Sequence, residues 1–167
     1  MASEGTYSKE WLRLSGAEME LFSACHEFRH SAGFISELSL ALADRLEQGT
    51  ALRFIRDDVF ADTELDDLLP GIIDAAIEGD IGNVPLARSV LCKFRTNDLV
   101  KEKLASMLSG YLEVEDYYVY MRVAELLLEL DYFDLKAVFV SKCKESRNED
   151  VVEVYDFFAD EFKAAGL

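Results

Sequence analysis

Apolar residues recur at spacings of three and four along almost the whole chain, and no stretch needs to be a strand. Only 2 Pro and 9 Gly interrupt the pattern, and neither Asn-Gly nor Asp-Gly occurs, so a many-stranded sandwich with tight hairpins is hard to build. The chain is expected to be all-α, with about eight helices and no sheet. Its 167 residues fit a single helical domain over 1–167 or one short array of repeats. Half the residues are hydrophobic, too many for a disordered acidic tail, because enough side chains exist for burial to offset chain entropy.

Start and stop signals divide the pattern into elements. A first helix is expected from near Ser8 with Trp11 and Leu14 on one face, and a second over 16–30 with Leu21, Phe22, Cys25 and Phe28. After residues 31–33, the stripe Phe34, Ile35, Leu38, Leu40, Leu42 and Leu46 is expected to run to Gly49 as a C-terminal cap, with Thr50 opening the next helix. Pro70 and Pro85 suit first helical positions, where a missing N–H was unpaired anyway. Thr96 or Asn97 caps a helix that Gly110 ends; the strongest pattern spans 114–130, and the last helix spans 148–165 with Val151, Val154, Phe157 and Phe158 inward.

Sliding the sequence on itself by 51 residues superposes Glu78 on Glu129, Asp80 on Asp131, Cys92 on Cys143, Lys93 on Lys144, Asn97 on Asn148, Val100 on Val151 and Glu102 on Glu153. This reads as a two-unit helical repeat over 70–165, in stacked antiparallel pairs, with each matched Asn capping a helix. Such pairs, with Pro70 and Pro85 at helix starts, resemble HEAT-like or armadillo-like repeats. The resemblance implies an extended surface for binding protein.

His26-Glu27-Phe28-Arg29-His30 matches HExxH and resembles the zincin metalloprotease signature. Two imidazoles one turn apart can share Zn²⁺, Glu27 would be the base, and Glu47 is a candidate third ligand. Against this stand Arg29 beside the dication and the lack of a substrate-aligning strand. The alternative is a solvated helix face, with Cys25 and Phe28 turned to the core. Cys25, Cys92 and Cys143 are widely spaced with no CxxC, which fits reduced packing residues.

Charge bears most directly on function. Against 17 Lys+Arg stand 33 Asp+Glu, a formal net charge of −16, which disfavours a surface for nucleic acid or anionic lipid and attracts a basic partner. The acids gather in three places: Asp57, Asp58, Asp62, Glu64, Asp66 and Asp67; then Glu113, Glu115 and Asp116 around Tyr118; then Glu149, Asp150, Glu153, Asp156, Asp160 and Glu161. Nothing makes the first cluster converge on Mg²⁺, so a solvated face is expected there. An outward Tyr118 among acids is a good anchor for Lys or Arg, whereas Tyr117 and Tyr120 are expected in the core. The three clusters are expected to merge into one face if the helices stack in order. No phosphate loop, Ser/His/Asp spacing, basic helix, membrane-length apolar run or secretory leader is evident, and residues 1–5 begin with an acid, so the expected location is cytoplasmic.

A small, acidic, helical chain without catalytic apparatus is similar to the immunity proteins that bacteria use against toxins, some of them HEAT-like. The resemblance implies a non-enzymatic protein without cofactors whose acidic face blocks a basic toxin domain such as a nuclease. The other readings are a zinc-dependent hydrolase at 26–30 and a helical-repeat scaffold or adaptor.

Overall fold

A computed structural model describes residues 7–167, and the expectation for residues 1–5 lies outside them. Among the described residues there are ten helices and no strand: α1 (Lys9–Arg29), α2 (Phe34–Ala43), α3 (Gln48–Asp57), α4 (Asp62–Ile77), α5 (Val84–Lys93), α6 (Asp98–Glu113), α7 (Tyr117–Leu130), α8 (Phe133–Glu145), α9 (Glu149–Phe157) and α10 (Ala159–Ala164). The chain divides into two compact units at Glu37/Leu38.

In the first unit, Ser8 caps α1 by accepting from the Trp11 amide at 3.1 Å. The helix then passes straight through Gly16, where two helices were expected, because nothing around that glycine competes with the local hydrogen bonds. No residue of α1 is buried, and Trp11, Leu14, Met19 and Phe22 all face solvent. Its helicity therefore rests on its cap and its length.

The second unit follows a simple rule of contact. Helices α3, α5, α7 and α9 touch in that order, α4, α6 and α8 touch in theirs, and most sequence neighbours pack across the two sets. Hydrogen bonds show that alternate helices run parallel. Asn83 at the start of α5 donates to Gln48 at the start of α3 (3.0 Å), and Lys93 at the end of α5 donates to the Arg56 carbonyl at the end of α3 (2.8 Å). Asn97 likewise donates to Asp62 (2.9 Å), joining the starts of α6 and α4, while Tyr111 late in α6 donates to Asp74 late in α4.

The core repeats with this stacking. Leu65, Val100 and Leu135, then Leu69, Leu104 and Phe139, then Ile73, Leu108 and Cys143, are all buried, and each trio advances in steps of 35 residues from α4 to α6 to α8. Within each helix these positions are i, i+4 and i+8, the stripe that one face presents. The 51-residue self-match instead lays α5 on α8 and α6 on α9, which belong to different sets.

Several local expectations give way to this packing. Pro70 lies inside α4, not at its start. An interior proline costs about 3 kcal/mol, but Leu68, Leu69, Ile72 and Ile73 around it are fully buried, each contributing about 1.5–3 kcal/mol, so burial wins. Gly49 is no left-handed cap but lies in the first turn of α3, where a Cβ would stand 2.9 Å from Asn83 Oδ1; the glycine lets that tie approach. Thr50 accordingly caps nothing, and Gly110 continues α6 to Glu113. The last expected helix breaks at Phe158, so Phe158 and Phe162 enter the core and Phe157 turns out, 66% exposed. Among the described residues there are thus ten helices where about eight were expected.

Lys136, only 3% exposed, donates to Asp131, the left-handed C-cap of α7 (φ 59°). That bond holds the Asp131 carboxyl below its usual range. A carboxyl depressed in the folded state stabilises above its unfolded pKa and loses that contribution as pH falls through the folded value. Asp131→Asn keeps the left-handed tolerance and removes the charge. Its melting temperature is expected below wild type at pH 7, with the gap closing below about pH 3; an equal gap at both pH values would show that the ion pair is not its source.

Candidate partner-binding surface

Parallel stacking gives the second unit two ends. One collects the starts of α3, α5, α7 and α9, and the other the starts of α4, α6 and α8. The 16 residues of α6 separate them by about 24 Å. The expected single acidic face is therefore divided: Asp62, Glu64, Asp66 and Asp67 lie on α4 near its start, whereas Glu113, Glu115, Asp116 and Tyr118 gather at the far end with Glu149.

Carboxylates at the α4 end are largely engaged within the protein. Asp57 pairs with Arg56, Asp62 accepts from Asn97, Glu64 caps the Ala61 amide, Asp66 pairs with Lys103 and Asp134 with Lys101. The paired cations hold the Asp57 and Asp134 carboxyls below their usual range. Asp67 is exposed without such a partner.

At the opposite end Asp116 caps α7 by accepting from the Val119 amide (3.0 Å). Glu115 before it adopts φ 49°, a conformation that costs a non-glycine residue about 1–2 kcal/mol. Two bonds from the loop before α9 hold it: Ser146 Oγ donates to its carboxylate and Asn148 Nδ2 to its carbonyl, both at 3.0 Å. Asn148 also caps α9 by accepting from the Asp150 amide (3.0 Å). The second acidic cluster thus meets Glu149 and Asp150 of the third where α7 and α9 begin, whereas Asp156 lies in the last turn of α9 and Asp160 and Glu161 on α10. Glu113, Glu149, Glu153 and Asp156 face solvent, and Tyr118 is 73% exposed with its ring edge-on to Tyr117. Tyr120 is in the core as expected, donating to the Leu112 carbonyl, and burial pushes its phenol up to about 12; Tyr117 is only half-buried.

Sequence reasoning missed the apolar residues of this end. Leu46, expected within the α2 stripe, is 90% exposed because α2 stops at Ala43, and Ile81 is 88% exposed. Their loops are tied on both sides: Arg45 pairs with Asp80 at 3.8 Å and Asn83 donates to Gln48. Arg122 on α7 donates to the carbonyls of Ile77 and Gly79, fastening the Ile81 loop beside the helix that carries Tyr118 one turn earlier. A cavity of about 260 Å³, lined by Arg45, Gln48, Gly71, Asp74, Glu78 and Asp80, opens next to these loops. The 35-residue step from Leu46 to Ile81 was the available signal.

The HExxH residues occupy the last turns of α1. His26 and His30 have ring centroids 4.3 Å apart, and His30 Nδ1–H donates to the His26 carbonyl at 2.7 Å. Ser23 donates to Glu27, so that carboxylate is engaged on its own helix. Glu47 is the residue before α3 in the second unit. Among the described residues no three His, Cys, Asp or Glu side chains group as metal ligands. The cysteines are unpaired: Cys143 is buried, with its thiol pushed up to about 12 by burial, while Cys25 and Cys92 are half-buried. No described helix is long and apolar enough to cross a membrane. The chain matches no protein-family model, no curated protein and no solved structure.

Asn148 has two separable duties. Asn148→Ala is expected to lower unfolding stability by about 1–2 kcal/mol through loss of the cap and the lateral bond. Asn148→Ser keeps a cap oxygen and loses the donor to Glu115 without adding charge, so it should cost less. Urea denaturation of both variants checks this, and equal losses would mean that the cap is not the larger contribution.

Proposed function

We propose that this chain is a non-enzymatic protein-binding inhibitor, a toxin-neutralising immunity protein whose acidic end blocks a basic partner such as a nuclease toxin domain. We read the stacked helices as a HEAT/armadillo-like array working in the cytoplasm. The observation that carries the proposal is the exposed Tyr118 ring amid Glu113, Glu115 and Asp116, with Glu149 drawn alongside through Asn148. Tyrosine supplies contact area at low entropic cost, and the carboxylates supply charge-assisted bonds to Lys or Arg, Glu115 and Asp116 through the lone pairs that Ser146 and the Val119 amide leave open. Opposing cations at that end would meet carboxylates where a nuclease cleft otherwise receives phosphate.

The steering field is the net charge of −16, so association should slow as salt rises. The protein immobilised as bait in lysate of its source cell is expected to retain a basic protein whose activity it inhibits. Glu113→Lys and Tyr118→Ala should each weaken capture at least about tenfold, since neither side chain supports the core. Capture that is indifferent to both substitutions and to salt would sink the proposal.

A further inference from the structure

The acidic end carries an exposed apolar row as well as charge. Leu46, Ile81 and Val114 each stand two or three residues before the start of α3, α5 and α7, and each is largely exposed, Val114 at 63%. Tyr118 extends the row on the first turn of α7. The ties already described join the loops that carry them: Arg45–Asp80 and Asn83–Gln48 bracket Leu46 and Ile81, and Arg122 holds the Ile81 loop against α7, the helix that Val114 precedes and Tyr118 opens. Acids flank every step, with Asp44, which caps the Leu46 amide, and Glu47 around Leu46, Asp80, which is paired with Arg45, before Ile81, and Glu113 and Glu115 around Val114.

We infer that this row docks an amphipathic basic α-helix of the partner, with apolar residues seven apart in one stripe and Lys or Arg on either side. The inference rests on the proposed acidic-end function and adds the partner's form. Packed helices lie about 8–10 Å apart, so loops on successive helices of one set offer contacts at that interval. An α-helix rises about 10.5 Å over seven residues and returns to the same face after two turns. An extended strand covering the same distance turns every third residue to the opposite face. The flanking carboxylates select cations beside the stripe, and the exposed apolar side chains select what lies between them.

The test uses the full chain and synthetic labelled peptides of about 21 residues, long enough to span three steps. The first is an Ala/Lys helix with Leu at every seventh position. The second has the same composition with the leucines moved onto different faces, and the third has a central proline that breaks the helix. Anisotropy titrations at about 50 mM and about 300 mM salt are expected to show the first peptide binding at least about tenfold tighter than the other two. The double variant Leu46→Ala/Ile81→Ala should lose that preference, whereas Val138→Ala, an exposed apolar position on α8, should keep it. Equal affinity for all three peptides, abolished by salt and by Glu113→Lys, would overturn the helix-docking inference while leaving the acidic reading in place. Absence of binding by the first peptide would also overturn it, and the acidic reading would then stand or fall on capture of its basic protein.

Discussion

The second unit depends on one constraint: no helix in it can bury its apolar stripe against a single neighbour. Leu65, Leu69 and Ile73 on α4 are fully covered only because α5, α6 and α7 all pack against that helix. The same i, i+4, i+8 stripe must then reappear on α6 and α8, which it does as Val100, Leu104 and Leu108 and as Leu135, Phe139 and Cys143. Stability in such packing is carried by the apolar contacts between neighbouring helices. A single interior proline is absorbed at Pro70 because the apolar contacts on both sides of it outweigh one lost backbone bond.

Polar ties convert this packing into a fixed register, and they account for where the charge goes. Arg88 is buried between α5 and α7, with its guanidinium donating to Glu125, Glu129 and the Arg122 carbonyl. Lys93, Arg122 and Lys136 are likewise spent on carbonyls or carboxylates of packed helices. Lys101 and Lys103 cross between α4, α6 and α8. A buried cation is costly unless paired, so the contacts of Arg88 and Lys136 discriminate between registers more than they add net stability. With these cations tied to neighbouring helices, fewer are left to offset the exposed carboxylates. The concentration of carboxylates where α7 and α9 begin is a further step, set by the Glu115, Ser146 and Asn148 cluster.

What the sequence made legible was local. Ser8, Asn97 and Asn148 act as caps because a cap needs only an amide two or three residues ahead. The all-α class followed from the apolar period, and the outward Tyr118 from its place in a helical turn. Pro70, Gly49 and Gly110 were misread because their local preferences are small beside the burial around them, and that burial comes from residues tens of positions away. Leu46 and Ile81 escaped notice for a related reason. An apolar residue that would continue a buried stripe is exposed once its helix stops early, as α2 does at Ala43.

Charge and apolar contact have different work at the proposed surface, and their separation has a physical reason. Carboxylates crowded at one end repel one another, and the repulsion opposes folding of the array that displays them. The cations of the proposed partner would relieve that repulsion on contact, so association would be fast and salt-sensitive, with the long-range field falling off over a screening length of about 8 Å at physiological salt. Once the surfaces meet, exposed carboxylate pairs hold weakly because water competes for both partners. Residence must then come from side chains that water solvates poorly, and at this end those are Leu46, Ile81, Val114 and Tyr118. A partner bearing charge alone would be drawn in and released; one that also covers the row would stay.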